Sequence, residues 1–326
     1  MLITRTPLRI SIGGGGSDLP SFYEKFGGFF VSAAIDKYIY ISITRHFTND
    51  YIIRYSEQEK VRSIAEIKHR IVKAVLSSRS VEPVEVVSIA DLPSGTGLGS
   101  SGSFTVGLLR AVYGHQRESV TAHRIAEEAC TIEMKMLGDP VGKQDQFIAS
   151  FGGLTCFEID KDGTVHVAPL RLPQKALHGL EDNLLLFFTG YSRSASTLLQ
   201  DQQKKSAAMD AEMINGLQAT VELGREINRQ LVSGNVSAFG DLMHEHWLRK
   251  RARSAGMSNG DIDRWYDVAR AGGARGGKLV GAGGGGFLLL YADDPSQLRQ
   301  AMASEGGPPE VRFKFDFDGS VVISRG

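Results

Sequence analysis

The sequence predicts an α+β fold in two domains. Strand-length apolar segments occur in groups instead of alternating regularly with helices, which argues for antiparallel strands backed by helices and against a parallel doubly wound sheet. A polar stretch from Leu170 to Asp182, containing Pro173 and Gly179, divides the chain, so the expected domains are residues 1–175 and 176–326. With 326 residues and 42% hydrophobic content, the chain can bury a sizeable core in each half.

In the first half, Leu8–Ile12, Phe29–Ala34, Tyr38–Arg45 and Tyr51–Tyr55 run apolar or alternate at strand length, with Gly27-Gly28 and Asn49-Asp50 as turn signals. Ile64, Ile67, Ile71 and Val75 recur at helical spacing, and Val84–Ala90 reads as a β-branched strand. A helix is expected over Phe104–Leu109, followed by one whose apolar stripe is Ile125, Ala129, Ile132 and Met136; strands follow at Leu154–Ile159 and Val165–Ala168. The second half offers a strand at Leu184–Thr189, a long helical region from about Ser194 to His246 and a helix over Asp261–Ala271. Strands Phe287–Tyr291, Val311–Phe317 and Val321–Ser324 then surround a helix after Pro295, a pattern that suits a small ferredoxin-like sandwich.

Lys plus Arg and Asp plus Glu each number 37, giving a net charge of 0 and none of the basic excess of a dedicated nucleic-acid binder. Apolar runs such as Phe287–Ala292 are too short to span a bilayer, and the amino terminus lacks a signal-peptide core. Cys130 and Cys156 do not form a C-x-x-C pair, so neither a disulfide scaffold nor a zinc ribbon is expected. These features predict a cytoplasmic protein.

The most informative segment is Pro93-Ser94-Gly95-Thr96-Gly97-Leu98-Gly99-Ser100-Ser101-Gly102-Ser103, on a strand-to-helix turn. Glycine lets backbone approach a ligand closely, a helix N-terminus supplies unpaired N–H donors and partial positive charge, and the serines add hydroxyls: the makings of a phosphate cradle. Gly97 to Gly102 also satisfies G-x-G-x-x-G, yet Asp91-Leu92-Pro93-Ser94 separates it from its strand and the ribose-binding acid of a dinucleotide fold is missing. No G-x-x-x-x-G-K-[ST] occurs, which removes a P-loop. Two further glycine segments, Pro7 to Asp18 (with Gly13-Gly14-Gly15-Gly16-Ser17-Asp18) and Gly276 to Phe287 (with Gly283-Gly284), suggest backbone converging on one ligand.

The ordered trio resembles the three motifs of the GHMP small-molecule kinases, the superfamily of galactose, homoserine, mevalonate and phosphomevalonate kinases, from about residue 4 to residue 291. The resemblance implies the GHMP kinase fold, a ribosomal-protein-S5-like N-terminal domain plus a ferredoxin-like C-terminal domain. Gly13 to Pro20, Val141 to Phe147, Thr189 to Ser196, and His246-Trp247 followed by Lys250-Arg251 are most similar to the branch acting on the anomeric hydroxyl of D-glycero-D-manno-heptose 7-phosphate, with the fucokinase-like branch beside it.

Phosphoryl transfer needs a clamp on the nucleotide, a metal, and a group that orients or deprotonates the acceptor hydroxyl. Asp145 is the candidate base. Arg9, matching the basic residue of the superfamily's first motif, is its expected partner, because a permanently charged guanidinium keeps a carboxylate ionised. Glu133 stands twelve residues before Asp145, the separation in the galactokinase-like pattern between metal ligand and base. With Ser101 it would suffice for Mg2+, which keeps several waters. The resemblance assigns ATP to Pro93, Gly95 and Gly97 to Ser103, and the sugar to Gly15, Gly16, Ser17, Asp18, Gln144, Gly283 and Gly284. Lys143 and Arg193 are the cations expected at a substrate phosphate, with Lys250, Arg251 and Arg253 as alternatives. His244 and His246, two apart on a helix, do not face one another and are taken as non-ligands. The expected partner is a small-molecule sugar or sugar phosphate, with a homodimer left open and neither nucleic acid nor membrane. A dinucleotide oxidoreductase and a non-catalytic sugar sensor on the same fold are the rivals; a sensor has no need of a base and a metal ligand together.

Overall fold

The computed structural model describes residues 1–190, 195–253 and 256–326, apart from the side chains of residues 195, 196 and 253. In chain order its elements are β1 (Leu2–Gly13), α1 (Pro20–Phe26), β2 (Gly28–Arg45), β3 (Tyr51–Arg54), β4 (Gln58–Val61), α2 (Arg70–Ser78), β5 (Val84–Ala90), α3 (Ser100–His115), α4 (Ala122–Cys130), α5 (Gln144–Phe151), β6 (Leu154–Ile159) and β7 (Val165–Pro169). The second half supplies α6 (Gln174–Asn183), β8 (Leu184–Gly190), α7 (Ala195–Ala207), α8 (Ala211–Val232), α9 (Val236–Arg253), α10 (Gly260–Ala271), β9 (Ala274–Leu279), β10 (Gly286–Ala292), α11 (Pro295–Ser304) and β11 (Val321–Arg325).

Among the described residues there are two sheets. The larger, eight-stranded one runs β11-β1-β2-β5-β3-β4, with β6 joined to β2 and β7 to β6; the smaller runs β8-β10-β9. Long strand β2 pairs with β1 along one edge and serves two partners along the other, β6 over Gly28 to Ala33 and β5 over Ile39 to Arg45. Strand β1 alternates buried and half-buried residues from Leu2 to Arg5 and is buried continuously from Thr6 to Gly13. Such a run belongs to a strand covered on both faces, and α3 and α8 both pack against β1 and β2. The site residues at the end of β1 therefore rest on the most enclosed part of the sheet. The smaller sheet is shared between two cores: Leu184, Leu186, Phe287 and Leu289 join the core of the large sheet, while Leu185 and Leu288 pack with Ile262 and the fully buried Trp247.

Four expectations are corrected. The helical spacing of Ile64 to Val75 is divided between a 3-10 turn (Ile64–Glu66) and α2. The Glu59 carboxylate accepts from the amides of Lys68 and His69 at 2.6 and 3.0 Å, satisfying donors that a continuous helix would have bonded internally. Second, α4 passes into a π-helical turn over Thr131–Met136. The extra residue in that turn rotates the stripe, so Ile132 is buried while Met136 is 51% exposed, and it carries Glu133 to the interior. Third, the helical region after residue 194 is three helices, broken where Met209 (φ 58°) and Gly234 (φ 83°) adopt the left-handed conformation; the Asp210 side chain caps α8. Fourth, Val311–Phe317 is not a strand but a crossing between the sheets. The Val311 amide donates to the carbonyl of Leu186 in the small sheet, whereas the Asp316 amide donates to that of Ala34 in the large one. The chain then ends as β11 beside β1, so the last strand expected in the second domain completes the sheet of the first.

Asp316 anchors this crossing. Its carboxylate accepts from the amides of Asp318 and Gly319 at 3.1 and 2.9 Å and from the Tyr38 hydroxyl at 3.0 Å, and the residue is 5% exposed. Removing an acceptor that leaves buried donors unsatisfied costs about 1–3 kcal/mol, so Asp316→Ala should lower the urea-unfolding free energy by that amount. Asp318→Ala, which loses a surface contact with Arg5, should cost about 0–1 kcal/mol. Equal losses in the two variants would remove Asp316 as the anchor.

Candidate active site

Two helix N-termini and the end of β1 meet at Arg9. Its Nε and Nη2 each lie 2.7 Å from Asp145 Oδ1, and its Nη1 donates to the Gly97 carbonyl at 2.5 Å. The Arg9 amide also donates to the Leu98 carbonyl at 3.0 Å, so strand and glycine turn are joined through both backbone and side chain. Arg9 is 5% exposed, while the Asp145 side chain is 27% exposed. With Oδ1 held by the guanidinium, no hydrogen bond to Asp145 Oδ2 is formed among the described residues.

The approach of α3 to α5 depends on glycine. A Cβ on Gly102 would stand 2.7 Å from Asp145 Cβ and 3.1 Å from the Gln146 nitrogen, so any larger residue would separate the helices. Asp145 lies in the first turn of α5, and α3 begins at Ser100 behind left-handed Gly99 (φ 77°). Both helices thus turn unpaired amides and positive dipole ends toward one place, an arrangement that favours an anion. The Asp18 carboxylate takes one of those amides, accepting from Gln144 N and from Gly16 N at 3.1 Å each. Burial pushes the Asp18 pKa up, the Gln144 bond opposes it, and the Asp145 charge adds to the rise.

Behind this meeting point lies Glu133, fully buried by the π-turn. Ser101 Oγ donates to its Oε1 and Gln146 Nε2 donates to Oε2 at 2.7 Å. Burial raises its pKa to about 7; the two hydrogen bonds oppose the rise, and the Asp145 and Asp139 charges add to it.

The meeting point opens on a cleft of about 280 Å³ lined by Arg9, Asp18, Gln144 and Asp145 on the large-sheet side and by His246, Lys250 and Lys278 on the small-sheet side. Lys278 donates to the Ile12 carbonyl at 3.0 Å and lies 3.1 Å from His246 Nδ1; Lys250 donates to the Leu279 carbonyl at 2.9 Å and to that of Gly281. The second and third glycine segments touch here through backbone alone, since a Cβ on Gly281 would stand 2.5 Å from Gly97 Cα. A second lobe of about 700 Å³ shares Gly95, Ser100 and Ser101 with the cleft and is otherwise largely apolar and aromatic. In it His69 stacks on Phe104 (centroids 5.0 Å apart, 22°) and meets Tyr55 edge-on at 4.7 Å; burial lowers the His69 pKa and favours the neutral ring.

Of the residues expected at the site, Arg9, Asp145, Gly15, Gly16, Asp18, Gln144, Gly95, Gly97, Gly99, Ser100 and Ser101 all line the cleft. Pro93 lines the second lobe. The side chains of several others face elsewhere. The Ser17 hydroxyl is fully buried, donating toward the Gly14 and Phe29 carbonyls at 2.8 and 2.9 Å and accepting from Phe29 N, so it holds the loop and not a sugar. Ser103 donates to the Pro7 carbonyl at 2.8 Å, and the Leu98 side chain joins the core. Gly102 meets Asp145 instead of lining the cleft. Gly283 and Gly284 pack on Met257, leaving Gly281 and Ala282 to line the cleft. Lys143 turns away from it, toward Glu127 and the Gly163 carbonyl. Arg251 pairs with Asp263 at 3.1 Å, and His244 meets the Tyr266 hydroxyl at 2.7 Å. Arg193 and the Arg253 side chain lie outside the described residues. Sequence reasoning did not select Lys278 and set His246 aside; the signals were the lysine inside the third glycine segment and the His-Trp pair.

The raised Glu133 pKa has a measurable sign. A buried acid whose folded pKa exceeds its unfolded value of 4.5 stabilises relative to its charged form below about 4.5, and that advantage is lost as pH rises to about 7. In chelator without nucleotide, Glu133→Gln should therefore gain melting temperature on the wild type between pH 5 and pH 8. A difference that stays constant across that range would place Glu133 in a solvated environment.

The GHMP kinase N-terminal domain model matches residues 64–153 and the GHMP kinase C-terminal model residues 227–307. The D-glycero-alpha-D-manno-heptose 7-phosphate kinase of Campylobacter jejuni is 29% identical over 322 residues, covering 93% of this chain and 94% of its own. The bifunctional fucokinase/GDP-fucose pyrophosphorylase of Arabidopsis thaliana is 25% identical over 90% of this chain and 30% of its own length. In structure, a D-glycero-D-manno-heptose 1-phosphate kinase from Bacteroides thetaiotaomicron superimposes over 100% of both chains with a TM-score of 0.81 at 23% identity, a likeness of fold. With both domain models matched in order and a relative aligned along almost its whole length, the chain belongs to the GHMP kinases, ATP-dependent kinases of small molecules, and within them to the sugar kinases.

Proposed function

We propose that the protein transfers the γ-phosphoryl group of ATP to the anomeric hydroxyl of D-glycero-D-manno-heptose 7-phosphate, giving the 1,7-bisphosphate. One observation carries this reading: a carboxylate held through one oxygen by a buried arginine, at the meeting of two helix N-termini beside a glycine turn. Arg9 holds Asp145 through Oδ1 and fixes its direction, leaving Oδ2 to accept the proton of the attacking hydroxyl. The amides at the start of α3 and the turn from Gly95 to Gly99 face the nucleotide phosphates, and the lobe of Tyr55, His69 and Phe104 suits a flat base. The donor set fits Mg2+: a buried carboxylate, Glu133, with no ion-pair partner among the described residues, bonded to a hydroxyl at the cleft wall, Ser101. Bound there, the ion would neutralise charge on the transferred group.

The choice of sugar rests on the near full-length likeness to the Campylobacter jejuni enzyme and on the charge of the cleft. Acids stand on the large-sheet wall, where hydroxyls would bind, and Lys250 and Lys278 stand on the other, where a terminal phosphate would find cations. Arg193, by its motif, is assigned to the substrate phosphate. The Arabidopsis fucokinase relative supports a second reading, an unphosphorylated sugar as acceptor.

ATP consumption measured over heptoses, hexoses and their terminal phosphates separates the two. The heptose 7-phosphate should be preferred, and preference for an unphosphorylated sugar would replace it with the fucokinase-like reading. Asp145→Asn should retain its fold and ATP binding while kcat falls about 10²–10⁴-fold; near-normal turnover would remove it as the base. Arg193→Met and Lys250→Met should raise KM for the phosphorylated sugar more than KM for ATP. Unchanged KM in both variants would move the phosphate site elsewhere.

A further inference from the structure

Lys143 is a buried lysine two residues before Asp145, and the cleft does not account for it. Its side chain is 9% exposed. Its Nζ lies 3.3 and 3.4 Å from the two Glu127 carboxylate oxygens and donates to the Gly163 carbonyl at 2.5 Å, between the rings of Tyr23 and Phe147 at 5.8 and 5.9 Å. An ammonium is expensive to bury unless its donors are all met by acceptors, and here a carboxylate and a carbonyl meet them on the side away from the nucleotide.

The two ends of this pair have special positions. Lys143 immediately precedes α5, whose first turn carries Asp145. Glu127 lies on α4 just before the π-turn that carries Glu133, and the Glu127 carbonyl accepts from Thr131 Oγ1 at 3.0 Å at the start of that turn. A second tie joins the same elements: Gln146 of α5 donates to Glu133 at 2.7 Å. Lys143 and Gln146, three residues apart at a helix start, reach toward α4 and its extension, while Asp145 between them reaches the opposite way to Arg9. The first turn of α5 is therefore clamped from one side and presents its carboxylate on the other.

We propose that the Lys143–Glu127 ion pair is a strut that sets the placement of Asp145 relative to Glu133, which makes Lys143 a positioning residue acting through Asp145. This rests on Asp145 as the base. Displacing a reacting group by about 1 Å can cost about 10²-fold in rate, so Lys143→Met should lower kcat about 10–100-fold. KM for ATP and for the sugar phosphate should change less than about threefold, the pattern of an interaction expressed in the transition state alone.

Steady-state kinetics on the full chain with ATP and heptose 7-phosphate, or whichever sugar the screen shows to be turned over, test the strut. Glu127→Gln, at the more exposed end of the pair, is the milder variant and should lower kcat in the same direction. The double variant Lys143→Met/Glu127→Gln should be no worse than Lys143→Met alone, because the two residues share one interaction. Lys143→Arg, which keeps the charge, should recover most of the lost kcat. In an Asp145→Asn background, Lys143→Met should cost nothing further. Three results would overturn the strut: a raised sugar-phosphate KM at normal kcat, which returns Lys143 to the substrate; a full additional loss in the Asp145→Asn background; or normal kinetics in both Lys143→Met and Glu127→Gln. Undiminished turnover in Asp145→Asn alone is a separate failure, that of the base, and it takes the strut's purpose with it.

Discussion

A guanidinium can be buried at the end of a sheet only where its donors are met, and Arg9 is met by Asp145 on one helix and by the Gly97 carbonyl ahead of another. That single requirement holds β1, α3 and α5 in one relation. If α5 withdrew, the arginine would be left charged and unpaired in a dry site; if the glycine turn withdrew, Nη1 would lose its acceptor. Gly102 is the geometric counterpart of the ion pair, because no side chain could stand between α3 and Asp145 at that spacing. The large sheet contributes rigidity, through a β1 that is buried without interruption from Thr6 to Gly13, where the first glycine loop begins.

Three acids share this region under different conditions. Asp145 is partly exposed and held by a fixed cation; Asp18 is buried and held by backbone amides; Glu133 is buried and held by neutral side chains. Burial raises the pKa of the last two, and the Asp145 charge raises both further. Acids in such unlike surroundings do not perform the same task. The one fixed by a permanent cation suits proton acceptance, whereas Glu133 gains most from a cation brought to it. On the proposed reading, the Asp145 charge that serves the base also favours a metal at Glu133.

Much of the site was legible because it depends on glycine and on fixed charge. The three glycine segments announced backbone contacts that side chains would forbid, and Gly97 against Gly281 is such a contact. Arg9, Asp145 and Glu133 followed from the chemistry of phosphoryl transfer and the family's pattern. What could not be read was direction. Ser17 and Ser103 look identical in sequence to Ser100 and Ser101, yet their hydroxyls serve backbone carbonyls in the interior. Lys143 sits amid residues that do line the cleft, and a helix start decides which of three consecutive side chains faces which neighbour. The π-turn was invisible for a related reason: Met136 continues an apolar stripe at 3.6-residue spacing, and nothing in its identity reports that the turn before it holds one residue more. The crossing at residues 309–316 reads as a strand because it is apolar and alternating, but its hydrogen bonds are split between two sheets and no ladder forms.

That split crossing bears on the cleft itself. The acids of the cleft stand on the large sheet and its helices, whereas Lys250 and Lys278 stand on α9 and β9 beside the smaller sheet, so the distance between the two sets of charges is a distance between two sheets. A hinge at a single linker would leave that distance loose. Here the two sheets share a hydrophobic core and are further joined near the site or behind it by the Lys278 bond to the Ile12 carbonyl, by the backbone contact of Gly97 with Gly281, and by the crossing that bonds to Leu186 and Ala34 before adding β11 to the first sheet. Each join is made of backbone or of a buried charge bonded to backbone, which exchange of surface side chains would not disturb. On the proposed reading, discrimination between acceptors of different length falls to the side chains that line the cleft, because its two walls are held together by backbone joins.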